Sequence, residues 1–503
     1  MSKYVLGIDN GGTSSKAVLF DLSGREIAQA KENTRLLTPR PGFTERDMEE
    51  LWLVNARVVR ETIRRAGVQP EEILGVSMSG HGKGLYLVGF DGKPARSGIV
   101  STDSRAYDCI DRWNADGTAE KLFSLTCQSV MACQPVALLR WLMEHEPDVL
   151  SRTQYIFDVK DYIRFRLTGE AHAEITDMSG SNLVNLHTRQ YDPQILTLLG
   201  LDASISEKLP PLADSFACCG RVTAEAAALS GLREGTPVAA GLFDIDACAI
   251  AMNVVDGEDI ASIAGTWAIN EYIAKAPVLD HSVKMNSLYC LPGYYLAEES
   301  APTSASNLEW FVNNFLREAA KEKGLPLYET ANLVLEREPD DNRIVFLPYL
   351  YGGCDDAKAT GAFLGLDGSH TREDMLRAVY ECVCFIHKLQ VDRLNRSRET
   401  PAKAARLAGG VVNSPKWVQM FADVFEMPVE TVEVSELGAL GAAMTAAVAG
   451  GCFETLQDAA AAMTHPGRTY LPDPARSEKY RRKYEAFLAA NEALKPLWKT
   501  LKR

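Results

Sequence analysis

The sequence predicts an α/β protein of at least two domains, the first built on a mixed sheet, and three observations lead there. A chain of 503 residues exceeds what one hydrophobic core serves, because chains divide into domains beyond roughly 250–300 residues. Apolar runs of strand length and one helical-period segment follow in the order β-β-β-α-β, which favours a sheet with pairing of both senses. The strand-turn-strand pattern of the N-terminus also recurs near the middle of the chain, as in a duplicated domain.

The opening elements are "YVLGID", "KAVLFD" and "EIAQAKEN" as strands, each short and punctuated by glycine or polar residues. A helix follows in "ERDMEELWLVNARVVRETIRRAG", where apolar residues recur at helical spacing, and then a strand in "ILGVSMSG". Further on, "PVALLRWLMEHEP" and "VKDYIRFRLTG" read as helices, the second ended by Gly169.

The first turn is unusually equipped. In "GIDNGGTSSKAVLFD", Gly7 to Asp21, Gly11 and Gly12 permit close backbone approach, while Thr13, Ser14, Ser15 and Lys16 offer hydroxyl, N–H and ammonium donors. Such a tip suits phosphate; a solvated polar turn is the plainer alternative. Neither G-x-x-x-x-G-K-[ST] nor G-x-G-x-x-G is present in the right strand-to-helix context, and a second strand follows the loop. Phosphate here would be held by a turn nest and side chains rather than by a helix N-terminus.

Bulk composition narrows the partners. With 53 basic against 67 acidic residues and a formal charge of −14, a general nucleic-acid or anionic-membrane surface is disfavoured, while a local basic pocket for nucleotide phosphate stays open. The start "MSKYVLGID" runs straight into a strand and no eighteen apolar residues are consecutive, so a cytoplasmic protein with small-molecule partners is expected. Eleven cysteines lie scattered without a C-x-x-C pair, which points to reduced core residues rather than zinc ligands or disulfides.

The second hairpin is "EDIASIAGTWAINEYIAKAP", Glu258 to Pro277, where "IASIAGT" echoes "VLGIDNGGT". A third glycine cluster follows in "ARLAGGVVNSPKWVQMFADVFEMPVE", Ala405 to Glu430. There a strand ends at Gly409 and Gly410, a loop carries Asn413, Ser414 and Pro415, and an amphipathic helix begins. The glycines would let backbone lie against a flat base or ribose, and Asn413 could cap the helix or bond a ligand. Next comes a small-residue helix, Leu437 to Val448, expected to pack closely against that loop.

Strand-glycine hairpin, repeated hairpin and late Gly-Gly loop, in this order, resemble the FGGY carbohydrate kinases of the actin-like ATPase superfamily. The resemblance extends through "PGFTERDMEELW", "VKDYIRFRLTGE", "VAAGLFDIDA", "FLPYLYG" and "GAFLGLDGSHTREDMLRAVYE", and runs from Tyr4 to about Gly450. It implies two actin-like ATPase (ribonuclease H-like) α/β domains with a central interdomain cleft. The expected boundaries are 1–245 for the sugar-binding domain with the first phosphate hairpin, 246–450 for the nucleotide-binding domain, and 451–503 for a helical extension.

The resemblance also assigns roles. Asp244 in "GLFDIDA" becomes the base for the attacking sugar hydroxyl, because an alcohol is a poor nucleophile at neutral pH. Asp9 becomes the metal-side carboxylate for Mg²⁺, through water, with Asp244 a second candidate ligand. Gly11, Thr13, Ser14 and Lys16 address the ATP phosphates, Gly265 and Thr266 do so from the second domain, and Gly409, Gly410 and Asn413 belong to the nucleotide site. Lys16 stands where glycerol kinases commonly have arginine, and Gly12 and Trp267 replace the commoner threonine and serine.

Sugar recognition is expected around "SMSGHGKGLYLVGFDGKP" and "IVSTDSRA", with His81 and Lys83 donating to hydroxyls and Asp103 accepting from them. Asp246, where relatives usually carry a neutral residue, is a further sugar-contact candidate. "HGKG" matches the pentulose-kinase Q-M-H-G motif loosely, and Ser101 replaces the tryptophan of W-x-D-x-R. The combination looks most like the L-xylulose kinase branch, and the N-Q-R-E-T segment of glycerol kinases is missing. D-xylulose, L-ribulose, erythritol and 3-keto-L-gulonate stay open, as do an actin-like ATPase without a sugar substrate and a non-catalytic sugar-binding relative. Family members are often dimers, so a homodimer is compatible with the sequence.

Overall fold

The structure is a computed structural model, and it describes residues 3–337, 342–354, 358–434, 436–498 and 500–501. In chain order the elements used below are β1 (Tyr4–Asn10), β2 (Ser14–Asp21), β3 (Glu26–Asn33), α1 (Met48–Ala66), β4 (Ile73–Gly80), α2 (Pro135–His145), α3 (Val159–Thr168) and α4 (Ile175–Ser179). They continue with β5 (Cys218–Arg221), β6 (Pro237–Ala239), β7 (Leu242–Phe243), α5 (Asp244–Ala251), β8 (Ile260–Ala264), β9 (Ala268–Ala274), α6 (Ser306–Phe315) and α7 (Arg372–Arg396). The last are β10 (Ala405–Ala408), α8 (Pro415–Phe425), β11 (Val429–Val432), α9 (Leu437–Ala449) and β12 (Pro466–Tyr470). Two compact units result: Met1–Val255 with Ile273–Ala297 and Val434–His465, and Asp256–Tyr272 with Glu298–Glu433 and Pro466–Arg503.

In the first unit the sheet runs β5-β6-β4-β1-β2-β3, with β7 also paired to β4. β1 and β2 form the antiparallel hairpin, from Tyr4 opposite Asp21 to Asn10 opposite Ser15. β1 and β4 run parallel, Asp9 facing Ser79 and Asn10 facing Gly80, and β7 joins parallel with Leu242 facing Ser79 and Phe243 facing Gly80. Three parallel strands thus end together, and the carboxyl ends of such strands are where open α/β sheets take their ligands. α1 covers the sheet with a face including Leu51, Trp52, Val58 and Val59 in one core with Ala17, Leu19 and Ala30. Asp47 caps its start by accepting from the Glu50 N–H, and Gly67, at φ 66°, ends it.

The small-residue helix α9 packs tightly within the first unit. A Cβ on Gly7 would lie 1.9 Å from the Ala439 carbonyl oxygen, one on Gly75 2.3 Å from that of Ala446, and one on Gly441 2.2 Å from that of Ala247. Its glycines and alanines therefore permit close approach to β1, β4 and α5 of the first unit.

The second unit repeats the local arrangement of the first. β8 and β9 form an antiparallel hairpin from Ala261 opposite Glu271 to Ala264 opposite Ala268. β10 then lies parallel to β8, with Ile263 opposite Ala408, and the order continues β9-β8-β10-β11-β12. Beneath it is a buried polar cluster: His387 Nε2 lies 2.9 Å from Ser304 Oγ, and the Ser262 hydroxyl donates to Asn270 Oδ1 at 2.7 Å. Burial pushes the His387 pKa down to about 3, so the ring is a neutral packing element. Among the described residues no helix is long and apolar enough to cross a membrane, and no cysteine is in a disulfide.

Candidate active site

The hairpin tip is held from below. The Gly11 N–H donates to the Ser14 carbonyl at 3.0 Å and the Thr34 N–H to that of Thr13 at 2.9 Å. Arg46, fully buried, donates through Nη2 to the Gly12 carbonyl at 2.5 Å. A Cβ on Gly12 would meet nothing within 4 Å, so neither packing nor a left-handed φ demands that glycine. Thr13 is exposed and Gly11, Ser14 and Lys16 are half-buried. Lys16 is ion-paired with Glu436, a partner the sequence reading missed because it lies 420 residues away.

Asp9, the last residue but one of β1, is half-buried. Its Oδ1 lies 3.1 Å from Ser79 Oγ, which is also 3.1 Å from the Gly438 carbonyl. A Cβ on Gly438 would come within 3.1–3.3 Å of the Asp9 carboxyl atoms, so glycine lets the start of α9 sit against this acid. Burial raises the Asp9 pKa, opposed by Lys16 and the Ser79 hydroxyl.

Asp244 opens α5 directly after β7, so the parallel registers put it near the same strand ends as Asp9. Burial raises its pKa well above the carboxylate range, the Asp9 charge adds to this, and Lys83 opposes it. Lys83 adopts φ 66° and lies with Nζ 5.7 Å from the centroid of the Phe243 ring. A Cβ on Gly82 would meet that ring at 2.4 Å, so the 81–83 loop is seated on the residue before Asp244. His81 is buried, its Nε2 3.1 Å from Tyr86 Oη, and burial lowers its pKa to about 3. It is therefore neutral, with Nε2 engaged by Tyr86 and Nδ1 3.4 Å from the Gly82 carbonyl.

These carboxyls fit a hydrated divalent cation. Two acids from the ends of β1 and β7, the strands paired to β4 on either side, each shifted upward by burial and one by the charge of the other, are a poor arrangement without added positive charge. Mg²⁺ is typically held by one or two carboxylates and keeps several waters. Among the described residues no group of three or more His, Cys, Asp or Glu is placed to hold a metal.

Three sequence expectations need correction. Asp103 does not present a free acceptor: Oδ1 receives the Arg105 N–H and Nε, each at 2.9 Å, and Oδ2 receives the Thr44 N–H at 2.7 Å and Arg105 Nη2 at 2.8 Å. It ties two loops together. Asp246 is fully buried, accepting from the Cys290 N–H at 3.1 Å. Two residues along a helix is roughly 200° of rotation, so it faces the core where Asp244 does not. Asn413 does not cap α8; its amide donates to the Gly410 carbonyl at 3.3 Å, and Ser414 holds the cap position.

Sequence reasoning also missed a buried ionic network behind the site. Lys160 Nζ lies 2.9 Å from Asp177, 3.4 Å from Glu174 and 3.6 Å from Asp161, all fully buried. Burial pulls the Lys160 pKa down, but these acids raise it overall, so the amine stays charged. Burial pushes Asp177 up to about 7 although Lys160 opposes it. The one sequence signal was a lysine in the first turn of a helix, where acids are the stabilising choice.

Asp158, beside this network, has neither oxygen hydrogen-bonded, and burial raises its pKa well above 3.8, with the Asp177 charge adding to it. A raised folded-state pKa gives stability that is full below the unfolded value and lost as pH rises through the folded one. Asp158→Asn is therefore expected to stabilise the protein by about 1–3 kcal/mol at pH 8 and by little at pH 4. Thermal unfolding at both pH values checks this; a lower melting temperature for the variant at pH 8 contradicts it.

In the second unit, Gly265 and Thr266 form the turn between β8 and β9. The Ala305 N–H donates to the Gly265 carbonyl at 3.0 Å and the Ser306 hydroxyl to that of Thr266 at 3.0 Å. Gly409, at φ 97°, must be glycine, since a Cβ would lie 2.3 Å from the Ala264 carbonyl. The fold thus brings the Gly409–Gly410 loop against the end of β8 and the Gly265 turn. A Cβ on Gly265 or Gly410 would meet nothing within 4 Å.

Comparison with known proteins agrees with this geometry. Residues 4–251 match the model of the FGGY family of carbohydrate kinases, N-terminal domain, and residues 260–450 that of the C-terminal domain. The chain is 37% identical to the L-xylulose/3-keto-L-gulonate kinase of Escherichia coli over 97% of its own length and 96% of that protein. It is also 37% identical to a probable L-xylulose kinase of Pasteurella multocida, covering 98% and 99%. Its fold is that of a ligand-bound xylulose kinase from Lactobacillus acidophilus, with TM-score 0.90, 24% identity and coverage of 99% and 100%. Strand-end acids, phosphate-type hairpin and matched domains together make this chain a member of the FGGY family of carbohydrate kinases.

Proposed function

We propose that this kinase transfers the γ-phosphoryl group of ATP to a terminal hydroxyl of a ketopentose, with L-xylulose foremost. The observation that carries the reading is the convergence of Asp9 and Asp244 at the ends of parallel strands beside the glycine hairpin. Two relatives at 37% identity are named for L-xylulose, which supports the choice of sugar, and the first of those names adds 3-keto-L-gulonate as the closest competitor.

Asp244 accepts the proton of the attacking hydroxyl, and Lys83 on the Phe243 ring holds that carboxyl nearer its charged form. Lys83 and the buried His81 offer the sugar its polar contacts, with Asp103 fixing the loops around them. Gly11, Thr13, Ser14 and Lys16 address the β- and γ-phosphates through backbone and side-chain donors, and Asp9 would hold Mg²⁺ through water. Bound there, the ion neutralises charge developing on the phosphoryl oxygens. Gly265, Thr266, Gly409, Gly410 and Asn413 form the nucleotide-facing surface of the second unit.

ADP release, measured with a coupled assay over a panel of ketoses, sugar acids and polyols, tests the reading. L-xylulose is expected to give the highest kcat/KM. No sugar-stimulated release from folded protein across the panel contradicts the kinase reading, and a preferred polyol contradicts the ketopentose assignment.

A further inference from the structure

The peptide that carries Asp244 is anchored by a hydrogen-bond chain that the proposed chemistry does not itself use. The Phe243 N–H donates to Thr176 Oγ1 at 3.0 Å. That hydroxyl donates in turn to Glu174 Oε2 at 2.8 Å. Since a threonine hydroxyl has one proton, its orientation is settled: Thr176 can serve Phe243 only as acceptor and Glu174 only as donor. Glu174 is itself fixed, receiving the Thr176 N–H at 2.9 Å, the Asp177 N–H at 3.2 Å and the Ser215 hydroxyl at 2.7 Å, with Lys160 Nζ 3.4 Å away.

A second tether from Glu174 reaches the same segment two residues earlier. Ser215, which donates to Glu174 Oε1, accepts from the Gly241 N–H through its carbonyl at 3.0 Å. Glu174, Thr176 and Ser215 are all buried, so these bonds operate away from bulk water, where each is stronger and its loss dearer. The segment Gly241–Phe243 is thereby pinned through its backbone, while Gly82 and Lys83 of the 81–83 loop lie against the Phe243 ring.

We infer that Thr176, backed by Glu174, is a positioning residue for the base: it fixes the Phe243 peptide and so the direction in which the Asp244 carboxyl meets the sugar hydroxyl. The inference rests on Asp244 being the base. A misplacement of about 1 Å can cost on the order of 10²-fold in rate, so a small loosening of this peptide is read out in kcat.

The test is a cycle of Thr176→Val, Asp244→Asn and the double variant, with Thr176→Ser as the conservative control. Thr176→Val is expected to lower kcat about 10- to 100-fold with KM for ATP unchanged, and Thr176→Ser to restore kcat to near wild type. In the Asp244→Asn background, Thr176→Val should cost almost nothing further, because residues acting as a unit are non-additive. Losses that multiply in the double variant, equal impairment of valine and serine, or a Thr176→Val protein that melts earlier but turns over normally would each overturn the inference. Should Thr176→Val fail to fold, Glu174→Gln replaces it in the cycle with the same expected non-additivity. If Asp244→Asn alone retains activity, the base assignment falls first and takes this inference with it; if Asp244→Asn is inactive and Thr176→Val is normal, only this inference falls.

Discussion

Asp244→Asn is expected to lower kcat by about 10²- to 10⁴-fold while KM for ATP stays near wild type. The substitution keeps the size of the side chain and removes its capacity to accept a proton from the sugar hydroxyl. Because burial and the neighbouring Asp9 raise the carboxyl pKa, the wild-type kcat should fall on the acid side of a midpoint above the ordinary carboxylate range. Activity is lost as pH drops through that midpoint, since the protonated acid cannot act as base. The residual activity of the variant should lack this limb. A pH profile of kcat for both proteins decides it; a variant within about threefold of wild type at its pH optimum contradicts the assignment.

Asp9→Asn is expected to lower kcat about 10²-fold or more and to raise the Mg²⁺ concentration needed for half-maximal rate, in line with the several kcal/mol that a metal supplies to developing phosphoryl charge. Titration of activity with MgCl₂ at saturating ATP and sugar checks both statements. An unchanged Mg²⁺ dependence would place the metal-side carboxylate elsewhere.

Local pattern made much of this fold legible. Strand-length apolar runs with glycines between them located the hairpin from Tyr4 to Asp21 and its echo from Ile260 to Ala274. Apolar residues recurring at helical spacing marked α1. What local pattern does not carry is the partner. The small residues of α9 announce a close approach, but only tertiary structure says that Gly7, Gly75 and Ala247 are what it approaches.

The same distinction runs through the site. Asp244 and Asp246 sit in one motif, and the start of α5 at Asp244 separates them: one stays half-buried near Asp9, the other is sealed in the core. Asp103 in "TDSR" reads as an available acid until Arg105 and Thr44 are seen to fill its oxygens. The Lys160 network draws on residues from 160 to 177 whose charges mean nothing locally. Burial turns them into a scaffold, and burial is a property of the whole unit.

The most direct test of the central claim is ³¹P NMR of the reaction of wild-type protein with MgATP and L-xylulose, with Asp244→Asn run in parallel. A terminal phosphate ester couples to the two protons of one carbon. The account expects a phosphomonoester triplet to grow with ADP in the wild-type sample and to be nearly absent from the variant. Inorganic phosphate as the sole phosphorus product besides ADP, or the same ester formed at the same rate by both proteins, would contradict it.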